Sequence, residues 1–159
     1  MGLFVIRHAE AVPHHTPGYA DDARPLTDTG HDQARRLGEL FRRLEIRFDS
    51  IVTSPLVRAW QTTEGILADW PDPRPAVLTL DEIAGEMRPR RVVKYLKKLG
   101  QPTVGLVGHE PTLSRYIAWM IGSKKSRIGL EKAGFARLTC DDLEKGGATL
   151  NCLITPEWY

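Results

Sequence analysis

Cysteine is scarce in this chain: only Cys140 and Cys152 among 159 residues. Two thiols make neither a disulfide framework nor a metal knuckle, and the expected compartment is the reducing cytoplasm. Long apolar runs are missing too. Nothing approaches the ~18 residues that would suggest a membrane span. Arg7 and Glu10 interrupt the opening stretch MGLFVIRHAE too early for a secretory signal. Position 6 is Ile, so Gly2 lacks the context of a myristoylation site. An excess of one charge is also absent: 22 Lys and Arg against 20 Asp and Glu leave +2. That balance argues against a general nucleic-acid binder. Hydrophobic residues at 42% and charged residues at 26% are globular values, which exclude disordered, collagen-like and coiled-coil chains. The expectation is one domain over 1–159, with no nucleic-acid partner and no membrane partner.

What is present alternates strand and helix. Leu3-Phe4-Val5-Ile6 is a continuous apolar run, as in a strand buried on both faces of a parallel sheet. An irregular stretch rich in Pro, His and Asp runs from Ala9 to Asp28. After Thr27, the residues Ala34, Leu37, Leu40, Phe41 and Leu44 recur at helical spacing. Ser50 to Thr53 reads as a strand, and Ser54-Pro55 as a helix opening with Ser at the N-cap. Strands follow at Ala76–Leu80 and Thr103–Val107, with helices opening at Pro89 and Pro111. Phe135–Cys140 and Ala148–Ile154 read as two strands joined through Lys145-Gly146-Gly147. This order predicts an α/β domain of three layers, α/β/α, with a mainly parallel sheet and one antiparallel edge.

In open α/β sheets, ligands gather at the carboxyl ends of the strands. Two strands here end in histidine, as Ile6-Arg7-His8 and as Val107-Gly108-His109. Arg7 closes a buried strand, where a charge needs a partner or a ligand. Arg58 falls in the first turn of a helix, where the free N–H groups and the helix dipole already favour an anion. Two guanidinium groups beside two imidazoles suit a phosphate, and a neutral imidazole can attack phosphorus in a covalent mechanism. His14-His15 is an adjacent pair without metal-ligand spacing, so no metal and no cofactor is expected. Arg35, Arg36, Arg42, Arg43 and Arg47 are interleaved with Glu39, Glu45 and Asp49, which reads as a solvated helix face rather than an RNA surface.

The segments around these residues resemble the histidine phosphatase superfamily (phosphoglycerate mutase-like). Phe4-Val5-Ile6-Arg7-His8-Ala9-Glu10 is similar to its RHG signature and Leu26-Thr27-Asp28-Thr29-Gly30-His31-Asp32-Gln33-Ala34 to its LTxxGxxQA segment. Ser54-Pro55-Leu56-Val57-Arg58-Ala59-Trp60-Gln61-Thr62 is similar to SPxxRAxQT, Leu80-Asp81-Glu82-Ile83 to the stretch with its acidic residue, and Val107-Gly108-His109-Glu110-Pro111 to VGHxP. The resemblance implies a phosphoglycerate mutase-like fold and a metal-independent phosphatase. His8 would be transiently phosphorylated, Arg7, Arg58 and His109 would hold the phosphoryl group, and Glu82 would be the general acid, with Glu86 close by as a substitute. Short spacings, together with Arg24-Pro25-Leu26-Thr27, bring the chain nearest the SixA-type phosphohistidine phosphatases, with Arg24 as a further phosphate contact. The implied substrate is a protein carrying phosphohistidine. The alternatives are a small phosphorylated metabolite, such as a sugar or nucleotide-like phosphate, or a phosphate-binding module without catalysis. The signature glycine is replaced here by Ala9, which must adopt an ordinary backbone conformation or carry strain.

Overall fold

In the computed structural model, which describes residues 1–159, the apolar run at the start of the chain lies deep inside a sheet. Leu3, Val5 and Ile6 are wholly inaccessible and Phe4 is nearly so. They belong to β1 (Gly2–Arg7), and their side chains alternate between two separate cores. Leu3 and Val5 pack on one face with Leu113, Tyr116 and Ile117. Phe4 and Ile6 pack on the other with Leu37 and Phe41. A strand covered on both faces has no polar positions to spare, which is why the run is unbroken.

The remaining elements follow in the predicted order. They are α1 (Asp28–Arg43), β2 (Ser50–Thr53), α2 (Val57–Leu67), β3 (Ala76–Thr79), α3 (Pro89–Leu99), β4 (Thr103–Gly108), α4 (Thr112–Met120), β5 (Phe135–Cys140) and β6 (Ala148–Ile154). The six strands form one sheet in the order β3-β2-β4-β1-β5-β6. β1, β2, β3 and β4 run parallel, while β5 and β6 complete the sheet antiparallel. The fold is therefore the α/β sandwich with an antiparallel edge that the sequence pattern predicts.

Several boundaries differ from the sequence expectation. Ser54 does not cap α2, which begins at Val57 with Leu56 at its N-cap and no side-chain capping bond. The Ser54 hydroxyl instead accepts from the Leu56 N–H at 3.3 Å and lies 2.8 Å from His109 Nε2. Pro111 precedes α4 rather than starting it. A short 3-10 turn, Asp81–Ile83, follows β3.

Two local contacts fix the loop after β1. The Thr27 hydroxyl accepts from the Gly30 N–H at 3.0 Å and donates to Glu10 Oε1 at 2.8 Å, so the cap of α1 also holds the segment after the strand. Gly30 is packed so tightly there that a Cβ would meet the Glu10 carbonyl oxygen at 1.9 Å. Only glycine permits that approach.

Candidate active site

Parallel pairing of β1 with β4 sets Arg7 opposite Gly108, one residue before His109. The two histidines thereby leave the sheet together, and their rings lie 5.0 Å apart between centroids. Arg58, on the first turn of α2, and Arg24, from the loop before α1, close the other walls. Arg7, His8, Arg24, Arg58 and His109 line one cavity of about 360 Å³.

Each guanidinium is held by backbone oxygens. Arg7 Nη1 donates to the Leu130 carbonyl at 2.9 Å, and Arg58 Nη1 to the Asp21 carbonyl at 2.7 Å. Arg24, 5% exposed, donates through Nη1 to the Val12 carbonyl at 2.5 Å and through Nε to Asp21 Oδ1 at 2.8 Å. The Asp21 carboxylate also sits 3.6 Å from Arg58 Nη2 and 2.7 Å from His14 Nδ1. Burial pushes the Asp21 carboxyl up, but the Arg24 bond and the charges of Arg58, Arg24 and His14 outweigh it and hold it below its ordinary value. One carboxylate thus aligns two arginines without neutralising the cavity.

The ring of His8 is oriented by its own neighbour. Nδ1 lies 2.7 Å from the Ala9 carbonyl oxygen. A carbonyl only accepts, so Nδ1 carries the proton and Nε2 keeps its lone pair. Burial is the main reason that the His8 pKa falls to about 4; the Ala9 bond opposes it, while Arg58, Arg7 and Arg24 reinforce it. Burial, then His8 and Arg58, lower His109 to about 3. Both rings are neutral at pH 7.

Polar atoms without partners complete the picture. The Nε of Arg7, the Nε of Arg58 and Nδ1 of His109 are buried and make no hydrogen bond. The Ser54 hydroxyl lies 2.8 Å from His109 Nε2, which gives that nitrogen its partner. Unpaired buried polar atoms are costly. The residues that carry the three line one cationic cavity, whose charge suits an oxyanion.

Ala9 does not have a positive φ; among non-glycine residues only His15, Glu45 and Ala133 do. Position 9 is wholly buried, and its N–H donates to the Thr62 hydroxyl at 3.0 Å. The alanine is accommodated without left-handed backbone.

The carboxylates expected as general acids are placed elsewhere. Glu82 lies on the 3-10 turn after β3 and does not line the cavity. Glu86 lines a neighbouring cavity with Met87, Thr112 and Arg115. The acid on the cavity wall is Glu110, and both its oxygens are occupied by Ser114, whose N–H donates at 3.1 Å and whose hydroxyl donates at 2.6 Å. Lys132 also reaches the wall, from the loop before β5, and its Nζ lies 3.9 Å from Glu10 Oε2. Sequence reasoning missed both. Glu110 was visible beside His109, while Lys132 has no motif around it. His14 is mostly exposed but packs into the wall, where Arg24 Nη2 lies 3.1 Å from its Nε2. Tyr159 packs on the domain as well, and its hydroxyl donates to the Ala133 carbonyl at 2.8 Å.

A strand-tip histidine pair inside a ring of arginines, on this sheet order, makes a pocket suited to a phosphoryl group. The chain belongs to the histidine phosphatase superfamily (branch 1), whose family model matches residues 3–87. It is 30% identical to an uncharacterized protein of Picosynechococcus sp., over 99% of this chain and 98% of the relative. It is 26% identical to the phosphohistidine phosphatase SixA of Escherichia coli, over 98% of this chain and 94% of that protein. A solved structure of the protein histidine phosphatase SixA complexed with tungstate superposes with a TM-score of 0.85 at 24% identity, covering 98% of this chain and 97% of that one.

Proposed function

We propose that this phosphatase removes phosphate from phosphohistidine in a protein, through a phosphorylated His8. The carrying observation is the pairing of a neutral imidazole, its Nε2 lone pair free, with Arg7, Arg24, Arg58 and His109 around one cavity.

In the first step Nε2 of His8 attacks phosphorus. The bond from phosphorus to the substrate nitrogen breaks, and its electron pair stays on that nitrogen. Arg7, Arg24 and Arg58 neutralise the equatorial oxygens, where charge accumulates. His109 stands beside them as a neutral ring on the same wall. In the second step water attacks the phosphoryl group on His8. The electron pair of the breaking P–N bond returns to Nε2, and a proton of the water passes to solvent as inorganic phosphate forms. No metal enters either step.

Phosphohistidine is favoured over an alkyl phosphate by what the cavity wall lacks. An alkoxide needs an acid at the leaving oxygen. Glu82, to which the family resemblance assigns that role, is off the wall, and Glu110 is tied to Ser114. A departing imidazole can take its proton from water on its second ring nitrogen, so it needs no acid at the leaving atom. The similarity to SixA supports the same reading.

The test compares turnover of a phosphohistidine protein with that of sugar and nucleotide phosphates, all in chelator. Faster turnover of the phosphoprotein is expected. Preference for one small ester would replace this substrate with a metabolite, and binding without turnover of any would reduce the protein to a phosphate-binding module.

A further inference from the structure

A second cavity, larger than the catalytic one, adjoins it. This groove of about 660 Å³ runs along α4 and the loop that follows, and Glu110 lines both cavities. Four cationic side chains line this groove: Arg115, Lys124, Arg127 and Lys145. None makes a hydrogen bond or an ion pair; the protein's salt bridges all lie elsewhere. Glu110 is the only carboxylate lining the groove, and it is already engaged by Ser114. Along α1 cations and acids are interleaved; the lining of this groove sets four cations against one acid.

Resting on the phosphoprotein reading above, we propose that this groove holds an acidic segment of the substrate polypeptide while its phosphohistidine enters the catalytic cavity. The catalytic cavity is little more than half the volume of the groove, so the substrate's backbone and neighbouring residues must lie outside it. The groove is the adjoining space, and four unpaired cations select carboxylates there. Trp119, half-buried on its wall, offers an apolar surface between the charges. Docking of this kind acts on association and KM, because none of the four groups reaches the reacting phosphorus.

The experiment uses the variant Arg115→Ser/Lys124→Ser/Arg127→Ser and two phosphohistidine peptides that differ only in acidic or uncharged flanks. With wild-type protein the acidic flanks should lower KM by about tenfold, the sum of three exposed ion pairs, at equal kcat. The triple variant should lose that difference and still hydrolyse phosphoramidate at the wild-type rate, which also reports that it is folded. A second readout needs no turnover: a fluorescent, unphosphorylated Glu-rich peptide should bind wild type at low salt and bind the variant about tenfold more weakly. Peptide binding without hydrolysis of either phosphopeptide would sink the substrate reading and leave the groove standing. Hydrolysis of both phosphopeptides at equal KM, with no binding of the Glu-rich peptide, would overturn the groove. So would an acidic preference that survives in the variant.

Discussion

The hydroxyl of Thr62 accepts the Ala9 N–H at 3.0 Å and donates to the Arg58 carbonyl at 2.7 Å. One buried side chain therefore ties the segment that follows His8 to the helix that carries Arg58. Thr62→Val keeps the shape and strands the Ala9 N–H without a partner. The expected loss is about 1–3 kcal/mol of stability, read from urea unfolding. A fall in phosphoramidate turnover at a temperature where the variant is folded should accompany it. Unchanged stability would mean that the Ala9 N–H finds another acceptor.

His8→Ala should stay folded and be inactive, because no other nucleophile on the wall has a free lone pair at the same place. Mass spectrometry of the acid-labile phosphoenzyme should find it in wild type and not in the variant. Residual turnover above background would mean that water attacks the substrate directly.

Protonation gives a pH signature. His8 falls to about 4 and His109 to about 3 in the folded protein, against 6.5 for a free imidazole. The unfolded chain therefore takes up protons below pH 6.5 that the folded chain refuses, and stability falls as pH drops from there towards 4. The slope is at most about 1.4 kcal/mol per pH unit for each group. Urea midpoints from pH 7 to 4.5 test it, alongside an NMR titration of the two rings. Inflections near 6.5 for both would refute the buried, neutral pair.

Arg58→Lys preserves charge but not the fork that donates through Nη1 to the Asp21 carbonyl and sets Nη2 3.6 Å from its carboxylate. A point charge cannot replace a bidentate donor. We expect at least about a tenfold loss in kcat/KM with little change in fold. Equal kinetics would show that charge alone suffices.

Glu82→Gln should leave ester and phosphohistidine hydrolysis alike unchanged, because Glu82 does not line the cavity, and EDTA should change neither. A selective loss of ester hydrolysis would mean that the turn after β3 brings its carboxylate to the leaving oxygen. Activity lost in EDTA and restored by Zn²⁺ would argue for a metal.

Much of this arrangement was legible in the sequence. β1 and β4 were visible as apolar runs ending in His8 and His109, because strands buried on both faces leave an unbroken signature. Arg7 was visible as a charge closing a buried strand, Arg58 by its place in the first turn of a helix, and Arg24 only through the resemblance of Arg24-Pro25-Leu26-Thr27 to the family's segment. What was not legible lies on irregular backbone. Lys132 comes from a loop with no period, distant in sequence from His8, and only the folded path of that loop brings it to the wall. The side-chain direction of Glu82 depends on a single 3-10 turn that no spacing encodes. Ser54 read as a cap, since Ser-Pro opens many helices, but its hydroxyl is drawn to His109 instead.

β1 is flanked by β4 and β5, made from residues 103–108 and 135–140. β1 therefore pairs only with segments about a hundred residues or more further along the chain, so its closure is long-range. His8 and His109 meet only through that pairing, and the cavity they line is a product of the assembled sheet rather than of any local segment.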